Sequence, residues 1–128
     1  LKTSKSMYEY KVKINRVIDG DTVDALIDCG FGILLQKRIR LSNINAPETR
    51  TKDKEIKKRG LKAKNRLKVL VKEHKNNLTV KTSLDKTGKF GRVLGVLLAK
   101  YQESEYQGRY LNLNQQLLEE GLVTPYEV

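Results

Sequence analysis

At 128 residues the chain has room for one domain and not for two independent cores. Its 26 Lys and Arg against 15 Asp and Glu leave a net charge of +11, which draws polyanions to the surface; nucleic acid is the expected partner and an anionic membrane the competitor. The lone Cys29 excludes an internal disulfide and every zinc spacing, and no apolar run approaches the roughly 18 residues of a membrane span.

The opening residues Leu1–Ser6 are polar and basic, with no apolar stretch of a signal peptide after them. Because the first residue is Leu rather than Met, this is compatible with a trimmed leader. Residues 1–9 read as a tail and 10–128 as the single domain. Tyr10, Val12 and Ile14 alternate with Lys11, Lys13 and Asn15, the period of a half-buried strand. Asp19-Gly20 supplies a turn, and Val23, Ala25 and Ile27 alternate beyond it. Asp28-Cys29-Gly30-Phe31-Gly32 ends that strand, with Cys29 read as a small turn or core residue. Ile33, Leu35, Lys37, Ile39 and Leu41 carry a third strand, closed by Pro47, so the first three strands form a meander. Ala63, Leu67, Leu70, Val71 and His74 then fall at helical spacing with lysines between them. The start of that helix is unmarked, since Thr51 to Gly60 is charged and shows no clean cap. Leu78, Val80, Thr82 and Leu84 read as strand four, and the apolar run Val93 to Ala99 as a buried strand five. Asn114 to Glu120 forms a short closing helix with Gly121 as its stop. This order is that of a five-stranded OB-fold barrel, an α+β architecture with one helix between strands three and four and a short C-terminal helix.

Three segments carry the chemistry: Ile18-Asp19-Gly20-Asp21-Thr22, Arg40 with Asn45-Ala46-Pro47-Glu48-Thr49, and Phe90-Gly91-Arg92. His74 is the only histidine and sits on the apolar face of the expected helix, which excludes two-histidine ribonuclease chemistry; a general base is then a carboxylate. Asp19-Gly20-Asp21-Thr22 fails the EF-hand spacing, because Val23 stands where a third oxygen ligand is needed. Two readings remain for it, a tight turn with Asp bonding its own backbone or a metal ligand. Glu48, at the end of a strand carrying Arg40, favours the second, and the oxygen donors suit Ca²⁺ or Mg²⁺ rather than zinc. Arg40 and Glu48 could also form an ordinary surface ion pair. Arg92 is either a solvated turn residue or a fork for a phosphate's non-bridging oxygens, where two arginines would counter the charge building on phosphorus.

Taken together, and in order, these residues resemble the thermonuclease, or staphylococcal nuclease, family. The resemblance runs from about Tyr10 to Tyr126 and rests on Val17 to Val23, Arg40-Leu41, Asn45 to Thr49, Lys89 to Arg92, and Asn114 ahead of Gly121-Leu122. It implies an OB-fold barrel that cleaves DNA and RNA with Ca²⁺ at the bond from phosphorus to the 5′ oxygen, leaving 3′-phosphates. By the same resemblance Asp21, Asn45 and the backbone carbonyl of Ala46 are Ca²⁺ ligands, with Asp19 just outside them. Glu48 positions or deprotonates the attacking water, and Arg40 and Arg92 bind the phosphate. Lys89, Phe90 and Tyr126 are expected to contact substrate.

The family's best-known members have Asp where this chain has Asn45, so the metal site lacks one negative charge. Phe90 stands where Tyr is usual, losing a hydroxyl contact while keeping a ring for stacking. The alternative is a nucleic-acid-binding module that has lost catalysis, a reading for which only Asn45 speaks. Glu55-Ile56-Lys57 as a carboxylate-lysine nuclease motif is disfavoured by its charged, non-strand surroundings, and a membrane-surface role by the ordinary core face of the lysine-rich helix. A monomer is expected, with no membrane partner. Family members are often exported, which favours a secreted or cell-envelope location.

Overall fold

The computed structural model describes residues 8–84, 92–100 and 110–126. Its elements are β1 (Tyr8–Asp19), β2 (Thr22–Asp28), β3 (Leu34–Leu41), β4 (Ile44–Asn45), α1 (Lys54–Glu73), β5 (Leu78–Leu84), β6 (Arg92–Lys100), β7 (Tyr110–Asn112), α2 (Leu113–Glu119) and β8 (Thr124–Pro125). The expected meander is present: β1 pairs antiparallel with β2, and β2 with β3. β5 pairs with both β1 and β6, and a parallel pairing of β6 with β3 closes the five-stranded barrel. β1 has register irregularities against β2 between Ile14 and Arg16 and between Val17 and Asp19, while its first residues, Tyr8 to Lys11, pair with β5.

Alternation places the core as the sequence implies. Val12, Val23, Ala25, Ile27, Ile39, Leu41, Val80 and Leu97 point inward, and Ala63, Leu67 and Leu70 of α1 close one end of the barrel. Buried Asn114 ties α2 to the barrel: its amide oxygen accepts from the Leu97 N–H, and its nitrogen donates to the Ser42 and Gly95 carbonyls. Both helices are capped as their sequences allow, α1 by Asp53 and α2 by Asn112, and Gly121 adopts φ 72° after α2.

Three features differ from the sequence reading. α1 begins at Lys54, well before its first apolar marker, because Asp53 accepts from the Glu55 and Ile56 N–H groups. His74 is half-buried but forms the C-cap, its N–H donating to the Leu70 carbonyl, instead of extending the apolar stripe. Ile33 and Leu35 are 56% and 44% exposed, because the β2–β3 hairpin projects beyond the barrel and only Ile39 and Leu41 of that series reach the core. At its tip Gly30, Phe31 and Gly32 all have positive φ, and the Phe31 ring is fully exposed. Cys29 lies behind this turn, half-buried against the core. The two-stranded β4–β8 pair and the short β7 are too small to leave a periodic signature. Among the described residues no helix is long and apolar enough to cross a membrane.

Candidate active site

The tight connection from β1 to β2 brings Asp19 and Asp21 to one end of the barrel, and the chain leaving β3 returns to the same place. Backbone bonds fix this meeting: Leu41 N–H donates to the Asp21 carbonyl at 2.7 Å. Asp21 is 7% exposed and both its carboxylate oxygens are engaged. One accepts from the Thr22 hydroxyl and the other from the Ala46 N–H, each at 2.8 Å. Asp19 accepts from the Thr49 hydroxyl at 2.6 Å. Residues 46 and 49 are therefore both pinned to the 19–21 turn, and Glu48, between them, is carried to its side.

Helix α1 supports this loop from behind. A Cβ on Gly60 would lie 2.5 Å from the Glu48 carbonyl oxygen and 2.7 Å from that of Pro47, and one on Gly20 would lie 2.7 Å from the Ala63 Cβ. Only glycine lets helix, loop and turn approach so closely. The Glu48 side chain is exposed and makes no hydrogen bond or ion pair with another described residue. A carboxylate so placed is accessible to water.

Arg40 is held in the opposite way. One terminal nitrogen donates to the Leu41 and Ile44 carbonyls, both at 2.8 Å. The other lies 3.3 Å from the Asn45 side-chain oxygen and 3.4 Å from an Asp21 oxygen. Its guanidinium carbon stands 5.6 Å from the centre of the Tyr126 ring, near enough for a cation–π contact. Tyr126 is fixed by its N–H to the Asn43 carbonyl, and β4 by the Asn45–Thr124 pairing with β8.

Of the residues singled out from sequence, Asp19, Asp21, Arg40, Asn45, Ala46, Glu48 and Tyr126 thus gather at one end of the barrel. The backbone of Arg92 opens β6 in register with Arg38, two residues from Arg40 along the neighbouring strand. Lys89 and Phe90 lie outside the described residues. Sequence reasoning missed Arg38 and Asp24, which form a two-pronged ion pair at 2.8 and 3.1 Å. The Arg38 guanidinium, hydrogen-bonded to Asp24, holds that carboxyl below the usual carboxylate range. Opposite charges at facing positions on β2 and β3 were the available signal.

Among the described residues no group of three or more His, Cys, Asp or Glu could hold a metal. The side-chain oxygens of Asn45 and Asp21 come within 3.3 and 3.4 Å of one Arg40 nitrogen, and Ala46 lies in the same loop with its N–H on Asp21. An all-oxygen set fits a hard dication such as Ca²⁺, and one Arg40 nitrogen near both Asp21 and Asn45 marks the convergence of their oxygens. A single formal negative charge makes the site weakly attractive.

A closed five-stranded α+β barrel, with Arg40 and the carboxylates of Asp19, Asp21 and Glu48 gathered at the turn end of its first hairpin, defines the class as an OB-type barrel. Residues 38–128, more than two thirds of the sequence, match the staphylococcal nuclease homologue family, and the chain belongs to it. It is also 29% identical over 118 residues to a micrococcal nuclease of Shigella flexneri, an alignment covering 92% of this chain and 59% of that protein. The chain thus spans well under two thirds of that relative's length. Arg40, Asn45, Glu48 and Arg92 fall inside the family match, and Asp19 and Asp21 precede it.

Proposed function

We propose that the protein is a Ca²⁺-dependent nuclease that hydrolyses DNA and RNA at the bond from phosphorus to the 5′ oxygen, leaving 3′-phosphates. The observation that supports this reading is the pinning of residues 46 and 49 to the 19–21 turn near the locked Arg40, with Glu48 between them and its side chain without a hydrogen-bond or ion-pair partner among the described residues. Arg40 donates to the non-bridging oxygens of the phosphate, assisted by Arg92, and both counter charge as the phosphorus becomes five-coordinate. Glu48 orients a water for in-line attack and accepts its proton, while the bond to the 5′ oxygen breaks and that oxygen takes up a proton from solvent water. Asp21, Asn45 and the Ala46 carbonyl would hold Ca²⁺, which supplies Lewis-acid polarisation of the phosphate when bound. Asp19 keeps the loop in place through Thr49. Lys89, Phe90 and Tyr126 contact the substrate, Tyr126 through the ring whose centre lies 5.6 Å from the Arg40 guanidinium carbon. The protein acts as a monomer, and family resemblance favours a secreted or envelope location.

The test is hydrolysis of single-stranded DNA and RNA with Ca²⁺, with Mg²⁺ and with chelator, followed by end-group analysis. Ca²⁺-dependent cleavage leaving 3′-phosphates is expected, abolished in Glu48→Gln and Arg92→Ala. Tight binding without cleavage at high Ca²⁺ would instead identify a binding module disabled at Asn45.

A further inference from the structure

A groove leaves the candidate site along α1. It opens at Asn45 and Pro47 as a cleft of about 360 Å³, with Arg59 and Lys62 on the helix side and Leu122 and Thr124 opposite. A second depression of about 550 Å³ shares Lys62 and Leu122 with the first and continues to Val69, beside the Arg66–Glu120 pair. The two form one channel between α1 and the segment following α2.

Charge along this channel is uneven. Arg66 is neutralised by a two-pronged bond to Glu120 at 2.7 and 2.9 Å. Arg59 and Lys62 are exposed, and neither has an ion-pair partner among the described residues. They lie three residues apart, so both project from one helix face. The free cations therefore stand at the end of the channel nearest the site. Gly60, between them, rests on the Pro47 and Glu48 carbonyls, so they flank the loop that carries the proposed base. Across the channel Leu122 is half-buried and offers apolar surface. A cationic wall facing an apolar one matches a single polynucleotide strand, with phosphates on one side and unstacked bases on the other. In a duplex those bases are stacked inside.

We propose that this channel is the path of the strand beyond the scissile phosphate, with Arg59 and Lys62 contacting successive phosphates. The assignment rests on the nuclease reading, which places the first phosphate at Arg40. It makes affinity grow with strand length, a property the site around Arg40 cannot supply alone.

The experiment is fluorescence anisotropy, with chelator present so that nothing is cleaved, using labelled oligothymidylates of two and of twelve nucleotides. Wild type is compared with Arg59→Ala/Lys62→Ala and with Lys68→Ala/Lys72→Ala, which removes the same charge from α1 at residues that do not line the channel. The first pair is expected to weaken binding of the longer strand about tenfold or more while leaving the dinucleotide within about twofold. It should also lower the slope of log affinity against log salt by about 1.4, near 0.7 for each lost phosphate contact. The second pair should leave that slope close to wild type. Equal losses from both pairs would overturn the path in favour of diffuse attraction, as would an unchanged affinity in the first. Failure of wild type to bind either strand would overturn the nuclease reading itself. Normal binding by wild type with an insensitive Arg59→Ala/Lys62→Ala variant would overturn the channel alone.

Discussion

Gly60→Ala tests whether α1 sets the position of Glu48. On an exposed helix this substitution stabilises by about 1 kcal/mol, because alanine loses less backbone freedom on folding. Here the added methyl would stand 2.5 Å from the Glu48 carbonyl oxygen, 2.7 Å from that of Pro47 and 2.8 Å from the Glu48 carbonyl carbon. These contacts fall about 0.5–1 Å inside what packed atoms tolerate, and all three are backbone, which has no alternative rotamer. Overpacking of this kind costs about 1–3 kcal/mol, so the net loss of stability is about 0–2 kcal/mol. Either the helix lifts or loop 46–49 shifts, and the loop is the smaller element. Displacement of a catalytic group by about 1 Å lowers turnover on the order of 100-fold. Thermal unfolding and steady-state hydrolysis of single-stranded DNA check this together: a modest fall in melting temperature with kcat down about 10–100-fold is expected. A variant that melted higher than wild type and kept its rate would refute the reasoning, because α1 would then not bear on the loop.

Asn45→Asp adds a charge to the proposed ligand set, and the Ca²⁺ concentration giving half-maximal rate should fall on the order of tenfold; an unchanged Ca²⁺ titration would remove Asn45 from the ligands. Arg40→Lys cannot reach the Leu41, Ile44 and Asn45 oxygens at once, so urea denaturation should show a loss of about 1–3 kcal/mol with hydrolysis abolished. Unaltered stability would show that those bonds contribute nothing to the fold. Arg66, and after it Gln116, hold the Glu120 carboxyl below its ordinary value by hydrogen bonding. A depressed folded pKa gives stability that is complete above about pH 4.3 and lost as pH falls through the folded value. Glu120→Gln should therefore flatten the acid limb of a pH–stability curve while costing less than about 1 kcal/mol at pH 7. A variant that kept the acid limb would leave that dependence to other carboxyls. Phe31→Asn, at a left-handed position where the ring packs on nothing, should raise stability by about 0.5–1 kcal/mol by chemical denaturation. A loss there would mean that the ring has a packing partner in solution.

The barrel was legible because its strands alternate where one face is buried, as at Val23, Ala25 and Ile27. The same rule failed at Ile33 and Leu35, since alternation says nothing about where a hairpin outruns the core. It failed also at the start of α1. The inward stripe does continue upstream of Ala63, but its next buried member is Gly60, which reads in a sequence as a helix breaker. What makes Gly60 necessary is the loop at Pro47 and Glu48, outside the helix in sequence and against it in space, and no local pattern carries that.

The candidate site residues could be picked out as types, whereas their geometry could not. Arg40 shows the reason. Its guanidinium has five N–H donors, and one terminal nitrogen is filled by the Leu41 and Ile44 carbonyls before any ligand arrives. Those carbonyls flank the turn between β3 and β4, and β4 pairs with two residues of β8 and takes the Thr124 hydroxyl on the Asn45 carbonyl. A strand of two residues has no periodicity to read. It nevertheless fixes the arginine's plane beside Asp21, and a donor fixed in advance needs no reorganisation when charge develops on a phosphate. On the proposed function, the chemistry at this end of the barrel therefore depends on residues 124–126, which hold Arg40 in place through backbone pairing and one tyrosine ring.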